Sequence, residues 1–421
     1  MRFLKRVIRL FFIIIFLLIT IQRSVLPSTD PVENIRRFTR QIEFDYVTWT
    51  LDAFGIKIDE SALNYPDLVN ADEQHTLIEK YISIIRELRQ VNQDLVTIFS
   101  DPAIKDPKTE SDILVKKRNS LLKQVKQNGP AAESILQRQI SLILYDLNLT
   151  TAGTPIPSVL YHSSPLPFAL IVSPRDAIRQ DANISIIPGI TIEQMIALED
   201  KVANSLNVSA LVEEVGGIGT YPTMVQETDD LNWLVEVISH EWIHNYLELK
   251  PLGINYDTTP ELRTMNETTA SLAGKEIASA VIARYYPERV PPPPPPQPTT
   301  PPTDEKPTEP ASPPAFDFRA EMHTTRLHVD ELLAAGKIDE AETYMEQRRQ
   351  FLWDNGYQIR KLNQAYFAFH GAYADEPGGA AGNDPVGPAV RALREKSASL
   401  FDFINRIAWF TSFDQLQRAV Q

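Results

Sequence analysis

Apolar side chains recur at three- and four-residue spacing through the first third of the chain, where Leu77, Ile78, Tyr81, Ile82, Ile85, Leu88 and Val91 trace one helical stripe. Asn70 or Asp72 can cap that helix, and Pro102 follows its end. Asn128-Gly129-Pro130 predicts a break in the helix after it. The region 30–150 therefore reads as a helical platform with no chemistry of its own. Beyond Pro155 and Pro157 the period changes. The short apolar or alternating runs 168–173, 184–187 and 210–215 predict strands, with a helix over 192–206 between the last two. Gly216-Gly217-Ile218-Gly219 lacks both a phosphate-loop lysine and dinucleotide-site spacing, so it predicts a turn or an edge strand.

Helical periodicity then returns. A helix over 231–249, capped by Asp229 or Asp230, is stopped by Pro251-Leu252-Gly253, and Thr259-Pro260 opens another that reaches Tyr286. After a tract dense in proline and threonine, 290–315, which reads as an exposed linker or loop, a helix pair is expected over 318–335 and 338–353. A helix over 358–374, a Gly/Pro loop over 376–388 and two final helices complete the pattern. The expected fold class is α+β and mostly helical: an N-terminal helical region, a core of small mixed sheet and two helices over 151–289, and C-terminal helices over 316–421 packing back onto that core.

The first 29 residues read differently. Arg2, Lys5, Arg6 and Arg9 precede an apolar run from Leu10 to Ile21, and no small-x-small cleavage pattern follows. As a helix, 7–22 spans roughly 24 Å, slightly short of a hydrocarbon layer. The expectation is a single N-terminal membrane anchor, with its basic flank cytoplasmic and the bulk of the chain outside.

Composition narrows the chemistry. The chain has 421 residues, 43% of them hydrophobic, enough for sizeable cores. A formal net charge of -14 argues against a nucleic-acid partner, whose phosphates need clustered Lys and Arg. The absence of cysteine removes disulfides, thiolate metal sites and a Cys nucleophile. Any metal must be held by His, Asp or Glu.

Only seven histidines are present, and two of them fall in Ser239-His240-Glu241-Trp242-Ile243-His244. On a helix, i and i+4 share a face, so His240 and His244 can present two imidazoles to one ion with Glu241 beside them. A hydrolytic zinc site normally needs a third protein ligand. Of Glu261, Glu267 and Glu276, the middle one is favoured, because it shares its helix face with Ala270, Ser271 and Gly274, small residues that let another helix approach. Glu276, on the opposite face, is second choice.

These residues, with Asn266-Glu267-Thr268-Thr269-Ala270, resemble the gluzincin metallopeptidases over about residues 231–286. The order of the whole chain is weakly similar to bacterial membrane-anchored aminopeptidase-like proteins. The resemblance implies a zincin-like core, one Zn²⁺ per chain on His240, His244 and Glu267, Glu241 as general base, and the strand around 213–221 as a substrate-binding edge. Thermolysin-like members carry an acid four residues after the ligand Glu, where this chain has Ser271, so the outer support of the two imidazoles is left unassigned.

Along 362–373, Asn363, Tyr366, His370 and Tyr373 recur at three- and four-residue spacing, with Arg360 one turn earlier. The stripe either lines the cleft, where Tyr366, His370 and Tyr373 become catalytic candidates for stabilising an oxyanion, or forms a buried network or subunit contact. Asn148, Asn183, Asn207 and Asn266 open glycosylation sequons, and a sugar on Asn266 would sit beside Glu267; a bacterial envelope suits the chain better. The expected function is a membrane-anchored zinc-dependent peptidase acting on a peptide or protein substrate. Its rivals are a non-catalytic envelope scaffold and an inactive zinc-binding homologue.

Overall fold

The computed structural model describes residues 30–100, 105–292, 316–373, 380 and 382–421. It is mostly helical with small sheets. The N-terminal helices are α1 (Pro31–Thr39), α2 (Tyr46–Leu63), α3 (Ala71–Ser100) and α4 (Pro107–Asp146). Asn70 caps α3: its side chain accepts from Glu73 N at 3.0 Å while Glu73 returns a bond to Asn70 N. The expected break at Pro130 is absent, and α4 runs straight through it. A helix-interior proline costs about 3 kcal/mol. Ala132, Ile135, Leu136 and Ile140 are fully buried just beyond it, and each large apolar side chain contributes about 1.5–3 kcal/mol, so packing outweighs the loss.

Six short strands follow: β1 (Tyr161–Ser163), β2 (Phe168–Pro174), β3 (Ala182–Ile186), β4 (Val208–Glu213), β5 (Gly217–Ile218) and β6 (Thr223–Val225), with α5 (Ile192–Leu206) between β3 and β4. They form two sheets, an antiparallel one in the order β3-β2-β4 and a mixed one in the order β1-β6-β5. The Gly-rich stretch contributes β5, an edge strand that pairs Gly217 with Val225 and Ile218 with Met224.

Two long helices, α6 (Leu231–Leu247) and α7 (Pro260–Tyr285), pack closely on one another. Asp230 caps α6 by accepting from Trp233 N, while Asp229 pairs with Arg86 and Arg89 of α3. The chain continues through α8 (Phe318–Ala334), α9 (Ile338–Asp354) and α10 (Gln364–His370) to α11 (Val386–Lys396), α12 (Leu400–Ile407) and α13 (Phe413–Val420). Three helices thus follow the Gly/Pro loop where two were expected, and the helix expected over 358–374 is confined to seven residues. Its start is set by Asn363, whose side chain accepts from Tyr366 N. The preceding residues are tied to β4 and α5 instead, with Arg360 donating to Val212 O and to Glu199.

The largest core joins Ile78 and Ile82 of α3, Leu136 and Ile140 of α4, Val235 and Ile243 of α6, Ile277 and Val281 of α7, and Val390, Phe403 and Leu416 from the last three helices. Residues on both sides of the proline tract therefore share one interior. Among the described residues no helix is long and apolar enough to cross a membrane. The anchor expected over 1–29 and most of the tract at 290–315 lie outside the described residues.

Candidate metal centre and cleft

The motif lies in the middle of α6, and Glu267 faces it from α7. Contact this close requires Gly274: a Cβ there would stand 3.0 Å from both the N and Cα of His240, closer than a side chain tolerates without displacing backbone. Buried Ala270 and Ala273 keep the same face low. His240 Nε2 and His244 Nε2 stand 3.0 Å apart, and Glu267 Oε2 lies 3.5 and 3.4 Å from them. Ligands bound tetrahedrally to one zinc at the usual bond lengths would be separated by about 3.3–3.5 Å. Glu267 Oε2 is buried and has no hydrogen-bond partner, which is the condition expected of a carboxylate whose partner is a cation. By distance, burial and donor type, the three residues fit a divalent metal.

Supporting bonds fix this arrangement. His244 Nδ1 donates to Asn266 Oδ1 at 2.8 Å, directing Nε2 toward Glu267. Ser271 Oγ lies 3.5 Å from His240 Nδ1, a weaker support at the position where thermolysin-like members carry an acid. Tyr256, from the loop between α6 and α7, donates its hydroxyl to Glu267 Oε1. Arg263, one turn before Glu267, reaches Tyr256 Oη at 3.4 Å and Ala368 O at 3.0 Å, tying α7 to α10. Glu276 is not part of the set, since Arg394 of α11 holds both its oxygens.

Electrostatics follow from this crowding. Burial would raise the Glu267 carboxyl, but the two imidazoles outweigh it and hold it well below the usual range. Burial would lower His244, but the nearby Glu267 charge outweighs it and pushes it up to about 9. Glu241, on the same helix but outside the trio, is raised by burial, an effect the two histidines only partly offset. Its carboxylate lies against the edge strand: a Cβ on Gly217 would meet Glu241 Oε1 at 2.7 Å. Asn245 holds the turn after that strand by donating to Thr220 O and Thr223 Oγ1.

A cleft of about 970 Å³ opens over these groups, bordered by 216–220, Trp233, Tyr46, Arg263, Phe369 and Tyr373. Of the stripe on 362–373, only Tyr373 borders it. Its ring stacks 6.3 Å from His240, and desolvation together with the Glu267 and Glu241 charges lifts its phenol well above the ordinary value, keeping it a donor. Tyr366 and His370 lie instead beside Glu213 of β4, with His370 Nε2 4.0 Å from Glu213 Oε1 and the two rings 4.2 Å apart. The stripe divides because α10 stops at His370, so Tyr373 leaves the helical register. Burial lowers His370 to about 4, which leaves a neutral imidazole away from the metal trio.

A second gathering of ligand atoms, His75, Glu79 and Glu288, is already satisfied: Arg289 takes both oxygens of Glu79, and His75 meets Glu288 at 2.9 Å. Sequence reasoning missed Asn266, Tyr256 and Arg263. Asn266 and Arg263 had a signal, being adjacent to and one turn before Glu267; Tyr256 sits in a loop, where no periodicity points inward. Compared with models of protein families, with curated proteins and with solved structures, the chain finds no match.

Proposed function

We propose that this protein is a zinc-dependent peptidase, with a zincin-like core in which His240, His244 and Glu267 hold one Zn²⁺ and Glu241 is the general base. The observation that carries the reading is the convergence of two imidazole nitrogens and a buried carboxylate oxygen without a hydrogen-bond partner, 3.0 to 3.5 Å from one another. A zinc ion held there would supply an acidified water and an electrophile for a carbonyl oxygen. Glu241 takes the proton as the water attacks the peptide carbon, then gives it to the departing amine. Tyr373, bordering the cleft and remaining a donor, would stabilise negative charge on the substrate oxygen, whereas Tyr366 and His370 lie beside Glu213. The edge strand β5 offers backbone groups to an extended peptide. With the basic and apolar N-terminus as anchor, the chain works outside the cytoplasm of a bacterial cell.

Element analysis and peptide-library cleavage on one preparation test the proposal. The wild type should carry about one zinc per chain. The double variant His240→Ala/His244→Ala should carry none and cleave nothing. Zinc retained at full stoichiometry by that variant defeats the site. A zinc-loaded wild type that cleaves no peptide favours the inactive homologue.

A further inference from the structure

Helix α2 turns apolar side chains outward. Its outward face carries Val47, Leu51, Phe54 and Ile58, exposed by 72, 68, 36 and 67%. At ~100° per residue these four fall within an arc of about 60° and make a stripe roughly 16 Å long. About 120° around the same helix, its buried positions are Ala53, Lys57 and Glu60. Two of those buried residues are charged, Lys57 bonding Glu60 and Glu133, while the four apolar side chains of the stripe are exposed. A run of exposed apolar side chains on one helix face is the kind of surface that marks a contact with a partner or a membrane.

We infer that this stripe rests on a lipid bilayer, as a second contact beside the N-terminal segment. The apolar run Leu10 to Ile21, behind Arg2, Lys5, Arg6 and Arg9, ends just ahead of Asp30, where α1 and then α2 begin. The part of the chain nearest any inserted segment is thus the part that turns aliphatic and aromatic side chains outward. A helix lying in the interface buries such a face about 5–10 Å into the headgroup boundary. The exposed charges flanking the stripe, Asp52 and Asp59, are acidic, so the surface it fits is zwitterionic rather than anionic. The contact would bring the cleft close to the bilayer: Tyr46, at the start of α2, borders the cleft, and Phe54 meets Tyr221 after β5 at 6.0 Å.

The absence of native cysteine allows a direct test on the full chain. Single cysteines at Leu51, Ile58 or Asp59 are labelled with a nitroxide, the protein is reconstituted into phosphatidylcholine vesicles, and collision with lipid-soluble oxygen is compared with collision with a water-soluble nickel chelate. The ratio of oxygen to nickel accessibility should be several-fold higher at positions 51 and 58 than at 59. Equal ratios at all three positions would mean a solvated stripe and overturn the inference. Low accessibility to both reagents at 51 and 58 would mean that protein covers it, a second copy or the chain's own N-terminal segment, and would equally overturn it. So would failure of the protein to float with the vesicles.

Discussion

Two buried clusters in this molecule are built from nearly the same residue types and reach opposite electrostatic ends. In the first, Lys57 of α2 donates to both oxygens of Glu60, at 2.8 and 2.9 Å, and to Glu133 of α4. Glu133 also accepts from Ser163 N at 3.0 Å and lies 3.1 Å from His162, while Gln137 donates to Glu60. Every acid there meets a cation carried by the chain. The second cluster, His240, His244, Glu267 and Glu241, contains no lysine, and its nearest guanidinium, Arg263, is engaged with Tyr256 and Ala368 O. The difference teaches that buried charge alone does not mark a functional site. A network closed by a lysine between its acids is a structural fastener between α2, α4 and β1, whereas one that gathers two imidazoles and a buried carboxylate without a lysine could hold a metal ion.

The comparison predicts different failures on the two sides. The largest is in chemistry: Glu241→Gln should keep zinc and lose about 10²–10⁴-fold in cleavage, or roughly 3–5 kcal/mol of transition-state stabilisation. Zinc content and turnover on the same sample decide this, and full cleavage by the zinc-loaded variant excludes Glu241 as the base. Next comes Lys57→Met, which strands two buried carboxylates and should destabilise the fold by about 3–5 kcal/mol in denaturant unfolding. Lys57→Met/Glu60→Met should recover part of that loss, since Glu133 keeps His162. Smaller still, Asn266→Ala removes the acceptor on His244 Nδ1 and should weaken zinc about 10–100-fold in chelator competition with little change in melting temperature.

The smallest effect concerns Glu213, which has no direct cation partner. Burial lifts its carboxyl from 4.5 up to about 7, against the pull of Arg360. The folded state therefore holds a proton that the unfolded chain has released, and stability is lost as pH rises from about 4.5 to about 7. Glu213→Gln removes that dependence. Melting curves across this window should show the variant gaining on the wild type with rising pH by about 1 kcal/mol, after allowance for the partial solvent access of the group. A parallel pair of profiles would place the proton elsewhere.

The sequence was most readable where periodicity and chemistry coincided. His240, His244 and Glu267 could be singled out because a helix fixes i and i+4 neighbours and because Ala270, Ser271 and Gly274 announced a close-packed face. Helices α3, α6 and α7 and strands β2–β4 were legible for the same reason. What was not legible depended on distant partners. Pro130 reads locally as a break and is overruled by side chains beyond it that bury against other helices. Tyr366, His370 and Tyr373 share a spacing but not a destination, because α10 ends early while residues 360–363 bond to Glu199, Val212 and Ala210. Lys57 and Glu133 look like ordinary surface charges until the fold closes over them.

The shared interior has a consequence for the covalent chain. Ile277 and Val281 lie before the proline tract, and Val390, Phe403 and Leu416 lie after it, yet they belong to one core, and Arg394 is clasped by Glu276 across the same gap in sequence. Peptide-bond continuity through 293–315 is therefore not what keeps the two halves together. A chain nicked in that stretch is, in thermodynamic terms, a heterodimer with an interface the size of a domain core, and it should migrate as two fragments under denaturing conditions while eluting as one particle in native buffer.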